Sequence, residues 1–143
     1  MRIDVIAVGK LREPALRSIA DDYLARIRRY ADCRELETKD DAALGRAVPK
    51  EAFVVALEVD GEALTSAAFA RHLERWFGLK KGRVAFVVGG AEGIPDEVSQ
   101  RADARLSLSR LTLPHRLARI VLFEQLYRAF TILRGEPYAR ERD

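Results

Sequence analysis

The chain has 143 residues, 48% hydrophobic and 33% charged, with a net charge of +3. That is the size and make-up of one globular domain, expected to span 1–143, and it excludes a disordered or low-complexity protein. A single cysteine, Cys33, rules out an intrachain disulfide, and His72 and His115 as the only histidines argue against tetrahedral zinc, so any catalysis is expected to be metal-free.

Strands and helices alternate along the chain. Residues 3–8 form a predicted strand, in an N-terminus that lacks the apolar core and cleavage site of a signal peptide. No apolar run approaches the roughly 20 residues of a membrane helix, so the expected location is cytoplasmic, with no membrane partner. A helix is predicted over 14–30, where Leu16, Ile19, Ala20, Tyr23, Leu24 and Ile27 fall at helical spacing. Residues 34–37 form a short strand, and the polar stretch 39–50, with Gly45 and Pro49, is predicted to be a connector. The apolar run 53–59 suits a strand buried on both faces, closed by Asp60-Gly61. Thr65 or Ser66 caps a helix to Phe77, 83–88 is a second buried strand, and 95–101 is a short helix with Pro95 in its first turn. A last strand covers 105–109, and Pro114 opens a helix to about Leu133. The expected fold is α/β, a mostly parallel sheet with helices on both faces.

The final helix is apolar around most of its circumference at Ile120-Val121-Leu122-Phe123, with Leu126, Tyr127, Phe130, Ile132 and Leu133 adding to it. Either a second subunit covers it, in a symmetric homodimer through this C-terminal helix, or it is buried deeply within one chain. The first reading is the expectation.

All nine basic residues in 101–143 are arginine, against five acids, so the positive surplus sits at the C-terminal end. Guanidinium forks suit phosphate, although a codon preference for arginine gives the same composition. Arg116 and Arg119 lie in the first turns of the last helix, where its dipole disfavours cations unless an anion is bound. With Arg110 they form a candidate RNA-backbone surface.

Gly89-Gly90-Ala91-Glu92-Gly93 follows a buried strand and allows backbone to approach a ligand, though a plain turn fits as well. It lacks the G-x-G-x-x-G spacing of dinucleotide folds, which leaves a dinucleotide oxidoreductase as a weaker reading. Beside it, Leu108 to Leu113 alternates apolar and polar residues, and could offer backbone groups to an adenine edge while leucines sandwich the ring. His115 could contact the ligand or be a hydrogen-bonded structural residue. His72, on a charged helical stretch, is expected to be solvated, and Cys33 to be structural.

Ala7-Val8-Gly9-Lys10-Leu11, Leu57-Glu58-Val59-Asp60-Gly61, Phe86 to Gly93, Leu108 to His115 and Glu124-Gln125-Leu126-Tyr127-Arg128-Ala129 together resemble the ribosomal RNA large subunit methyltransferase H family. The resemblance implies a SPOUT-type fold with a C-terminal trefoil knot, acting as a homodimer. It also implies S-adenosyl-L-methionine as cofactor and N3 of a pseudouridine in 23S ribosomal RNA, within the assembled ribosome, as substrate. Carried over by motif, Leu57, Gly89, Leu108, Ser109, Arg110, Leu111, Thr112 and Leu113 would hold the cofactor. Tyr138 and Arg140, in the tail freed by Gly135 and Pro137, would lie on the substrate side. Glu124 and Arg128, four apart on one helical face, can pair, either as a surface ion pair or to orient Arg128 toward the developing anion.

The sequence departs from the family in two places. Ala139 stands where members usually carry a histidine, and 39–50 is shorter than a segment that often includes a helix. Ala139 is the feature behind the alternative reading, a catalytically impaired ribosome- or RNA-binding module that keeps the cofactor pocket.

Overall fold

The structure, a computed structural model, describes residues 1–140. Five strands form one sheet: β1 (Arg2–Val8), β2 (Asp32–Thr38), β3 (Phe53–Ala63), β4 (Arg83–Val88) and β5 (Ala104–Ser107). Their order is β2-β1-β4-β3-β5, and all pairings are parallel. The helices between them are α1 (Pro14–Ile27), α2 (Asp41–Ala47), α3 (Ser66–Leu79), α4 (Asp96–Arg101) and α5 (His115–Leu133), followed by a 3-10 turn, Pro137–Arg140.

Alternation along the strands divides the core in two. Ile3, Val5, Ala7, Val55, Val84 and Phe86 face α1, α3 and α5, whereas Ile6, Val54, Ala85 and Val87 face α2 and α4. The expected helices on both faces are therefore present. Strands enclosed this way need no polar face, which is why β1 and β4 are almost unbroken apolar runs.

The stretch 39–50 is not a connector but holds α2. Asp40 caps it, its carboxylate accepting from the Ala43 amide at 2.8 Å, and Leu44 is fully buried against Ile6 and Val54. One apolar anchor and one cap suffice for a helix of 7 residues. Asp60-Gly61 also does not end β3. Leu57 pairs with Leu106, residues 58–61 bulge outward, and Glu62 pairs with Leu106 again. Gly61 makes this return feasible, since a Cβ there would sit 2.8 Å from the backbone of Arg105 and Leu106.

Helix α5 packs against both α1 and α3, and together with the sheet they bury Leu122, Phe123, Leu126 and Phe130. Each such side chain contributes about 1.5–3 kcal/mol of burial. Of the apolar circumference that suggested a second subunit, these four are covered within one chain, while Ile120, Val121, Tyr127, Ile132 and Leu133 are half-buried. Leu117 on α5 and Ile19 on α1 stay more than 40% exposed.

Candidate functional site

At the carboxyl ends of β3, β4 and β5 the strands give way to loops that surround an open cleft, whose empty space including the solvent at its mouth is about 540 Å³. This is where ligands enter open parallel sheets. Of the residues singled out in the sequence, Leu57, Gly89, Leu108, Ser109, Leu111 and Leu113 line it. Arg110 and Thr112 are exposed and do not; Leu111 borders the cleft while remaining 77% exposed, and Leu113 is half-buried. The first turns of α5 add His115 and Ala118, and Glu58, Val59, Gly90 and Gly93 complete other walls. His115 and the glycines were visible as motif members; Ala118 carried no signal beyond its place one turn along.

The glycines of the β4 loop have separate duties. Gly93 has φ of +84° and donates its amide to the Gly90 carbonyl at 3.0 Å, closing the turn. Gly89 is the point of closest approach: a Cβ there would lie 2.4 Å from the Gly93 carbonyl carbon. The run after β5 is held by its own serines, Ser107 Oγ donating to the Ser109 carbonyl at 3.0 Å and Ser109 Oγ accepting from the Leu111 amide at 3.0 Å.

A second cluster lies farther along α5. Arg128 Nε donates to Glu124 Oε2 at 3.0 Å, and the Tyr138 hydroxyl donates to the same oxygen at 2.8 Å. The Arg128 guanidinium also sits 5.0 Å from the centre of the Tyr138 ring. Burial, then hydrogen bonding with Tyr23 and Glu124, raises the Tyr138 hydroxyl above its ordinary range, so it is a neutral donor at neutral pH. The tail that carries it is latched by Tyr30, whose hydroxyl donates to Glu136 at 2.6 Å and is pushed up to about 12 by burial and that bond. Arg140 is exposed and donates to the Gly135 carbonyl at 3.2 Å.

Glu124, Arg128 and Tyr138 thus form one cluster against the C-terminal half of α5, Arg140 lies in the turn beyond the helix, and none of the four lines the cleft. Glu124 is six residues past Ala118, about 9 Å along the helix axis.

Arg119 does not contribute to an exposed cationic surface. Its side chain is 2% exposed, and it donates to Glu35 at 3.0 Å, to Glu37 at 2.5 Å and to the Gly9 carbonyl at 2.9 Å. Its buried Nε has no hydrogen-bond partner among the described residues. Arg116 pairs with Glu13, so two of the three arginines expected to meet RNA are engaged with carboxylates. Burial tends to raise the Glu37 carboxyl, but the Leu11 amide, Arg119 and Arg17 bring it below its ordinary value. His72 is half-buried rather than solvated, its Nδ1 lying 2.8 Å from the Ala68 carbonyl with Trp76 against the ring. Cys33 is buried and its thiol is pushed up to about 12 by desolvation, so it is no nucleophile. Among the described residues no cluster of His, Cys, Asp and Glu could hold a metal, and no helix is long and apolar enough to cross a membrane.

A family profile described as "Predicted SPOUT methyltransferase" matches residues 1–139. A protein of Sorangium cellulosum (strain So ce56), named "Ribosomal RNA large subunit methyltransferase H", is 55% identical over 97% of this chain and 99% of its own length. One of the same name from Shouchella clausii (strain KSM-K16) is 36% identical over 96% of this chain and 99% of its own. Among solved structures, a probable methylase family protein from Haemophilus influenzae Rd KW20 superposes with a TM-score of 0.60 at 11% identity, over 99% of this chain and 70% of that one.

Proposed function

The chain belongs to the SPOUT methyltransferase family, and from that premise we propose that it uses S-adenosyl-L-methionine to methylate N3 of a pseudouridine in 23S ribosomal RNA, on cytoplasmic ribosomes. The observation that carries the proposal is the cleft at the ends of β3, β4 and β5. Its walls are largely leucine, valine and glycine, with a few polar groups at Glu58, Ser107, Ser109 and His115, the make-up of a small-molecule site. Those residues fit an adenosine. Leu57, Leu108, Leu111 and Leu113 would flank the ring, while Ser109, Arg110 and Thr112 would contribute through the backbone of the run, which the proposal places in the loop of a trefoil knot.

The bound cofactor would supply an electrophilic methyl on a sulfonium. The protein's part is to align the uracil N3 with that methyl and to ease loss of its proton. Arg128, fixed by Glu124, would stabilise the negative charge developing on the base, with Tyr138 as a neutral hydrogen-bond donor beside it. Arg140 would meet the RNA backbone. Because these groups share no residue with the cleft, the reading calls for a homodimer in which the tail of one subunit completes the site of the other. The exposed Leu117 and Ile19, on the packed pair α5 and α1, support a contact there.

Mass spectrometry of 23S ribosomal RNA from a strain lacking the protein, with and without the wild-type copy restored, tests the proposal. Loss and return of one N3-methylpseudouridine is the expected result. An unchanged modification pattern would replace the enzyme with a non-catalytic ribosome-binding protein, consistent with Ala139.

A further inference from the structure

We propose that Arg119 is a positioning residue for the cofactor pocket, fixing the wall that the first turns of α5 present to it. The inference rests on the cofactor reading above. Ala118 lines the cleft, and its neighbour Arg119 leaves the helix about 100° away, toward the ends of β1 and β2. There one guanidinium collects acceptors from separate parts of the chain: Glu35 and Glu37 on β2, and the Gly9 carbonyl just after β1. Each carboxylate is engaged a second time. Glu37 accepts the Leu11 amide at 2.8 Å, and Glu35 accepts Arg17 of α1 at 2.5 Å.

The helix that carries His115 and Ala118 into the pocket is therefore tied by Arg119 to two strand ends, the loop after β1 and α1. The other nearby tie, Arg116 to Glu13, joins side chains that are 51% and 42% exposed, and an exposed pair of that kind holds little. Without the guanidinium, Glu35 and Glu37 would be left with Arg17 alone, 2.5 and 3.6 Å away, to offset two carboxylates beside the helix. A lysine would restore the charge but not the planar fork that reaches two carboxylates and a carbonyl together, so it separates position from charge.

Titration calorimetry with S-adenosylmethionine and with S-adenosylhomocysteine, alongside thermal unfolding of the intact protein, compares wild type with Arg119→Lys, Glu37→Gln and Leu24→Ala. Leu24 is 3% exposed on α1 in the same core and outside the network, so its truncation controls for lost stability alone. At a temperature where every variant is folded, Arg119→Lys should weaken both ligands about 10- to 100-fold, a loss of about 1.4–3 kcal/mol in binding. Glu37→Gln should weaken them less, and Leu24→Ala not at all. Unchanged binding by Arg119→Lys despite a lower melting temperature would overturn the proposal, as would an equal binding loss in Leu24→Ala. Should Arg119→Lys not fold, Glu37→Gln decides by the same criterion. Wild-type protein that binds neither ligand would overturn the cofactor reading and this inference with it.

Discussion

Gly89 and Gly90 are adjacent, both line the cleft, and neither has a positive φ, yet alanine should act very differently at the two. At Gly89 the new Cβ would stand 2.4 Å from the carbonyl carbon and oxygen of Gly93 and 2.8 Å from the Ile94 nitrogen, whereas ordinary contact begins at 3.4 Å. All three atoms are backbone, so the turn itself must move by about 1 Å. Overpacking of this kind costs about 1–3 kcal/mol, and a loss of that size in binding is about 10- to 100-fold. At Gly90 the new Cβ would meet Val8 Cγ1 at 3.4 Å and Val8 Cβ at 3.5 Å, a contact the site accommodates. Calorimetric titration with S-adenosylhomocysteine should therefore find Gly89→Ala weakened about 10- to 100-fold and Gly90→Ala close to wild type. Equal affinities for the two variants would refute the claim that close backbone approach at Gly89 shapes the pocket.

Tyr138→Phe removes one hydrogen bond to a carboxylate, worth about 1.5–3 kcal/mol; methyl transfer should fall roughly 10- to 100-fold while calorimetry shows unchanged cofactor affinity. If the tail serves the partner's pocket, mixing Gly89→Ala with Tyr138→Phe subunits should restore about a quarter of wild-type transfer by random pairing in a two-fold dimer, and no recovery would place both functions in one subunit. The folded-state pKa of Glu37 is depressed, so its contribution is present above the unfolded carboxylate value near 4.3 and is lost as pH falls through the lower folded value. The melting temperature of Glu37→Gln should accordingly lie below wild type at pH 7 and converge with it below pH about 4; a constant gap would contradict this.

What the sequence disclosed follows from how each signal is built. Strands β1, β3 and β4 are covered on both faces, so their apolar runs stand out, and the glycines and leucines that follow mark where the sheet stops and a cleft begins. Helix α2 was concealed because only Leu44 needs to be apolar, and Gly45 suggests a breaker; the cap at Asp40 was the available clue. The end of β3 was misplaced because Asp60-Gly61 has turn chemistry, although here the glycine lets a bulge rejoin β5. Arg119 misled for a different reason. Its partners Glu35 and Glu37 lie 84 and 82 residues away, and helical periodicity cannot reveal an electrostatic pairing at that separation. The pairing of Glu124 with Arg128 was legible because it is local, whereas the reach of Tyr138 onto Glu124 depends on how the tail folds back.

The strand order has a consequence for how the protein is made. Two units are local, β1-α1-β2 and β3-α3-β4; the central pairing of β1 with β4 that joins them links Arg2 to Arg83, and the Tyr30 latch to Glu136 spans 106 residues. Long-range pairings of this kind slow folding, since a large loop must close before any contact offsets its entropy. The cleft draws its walls from β3, β4, β5 and α5, so it cannot close before residues as far along as Ala118 are in place. A ligand of that cleft can hold the finished protein together, but it has nothing to grip while folding is under way.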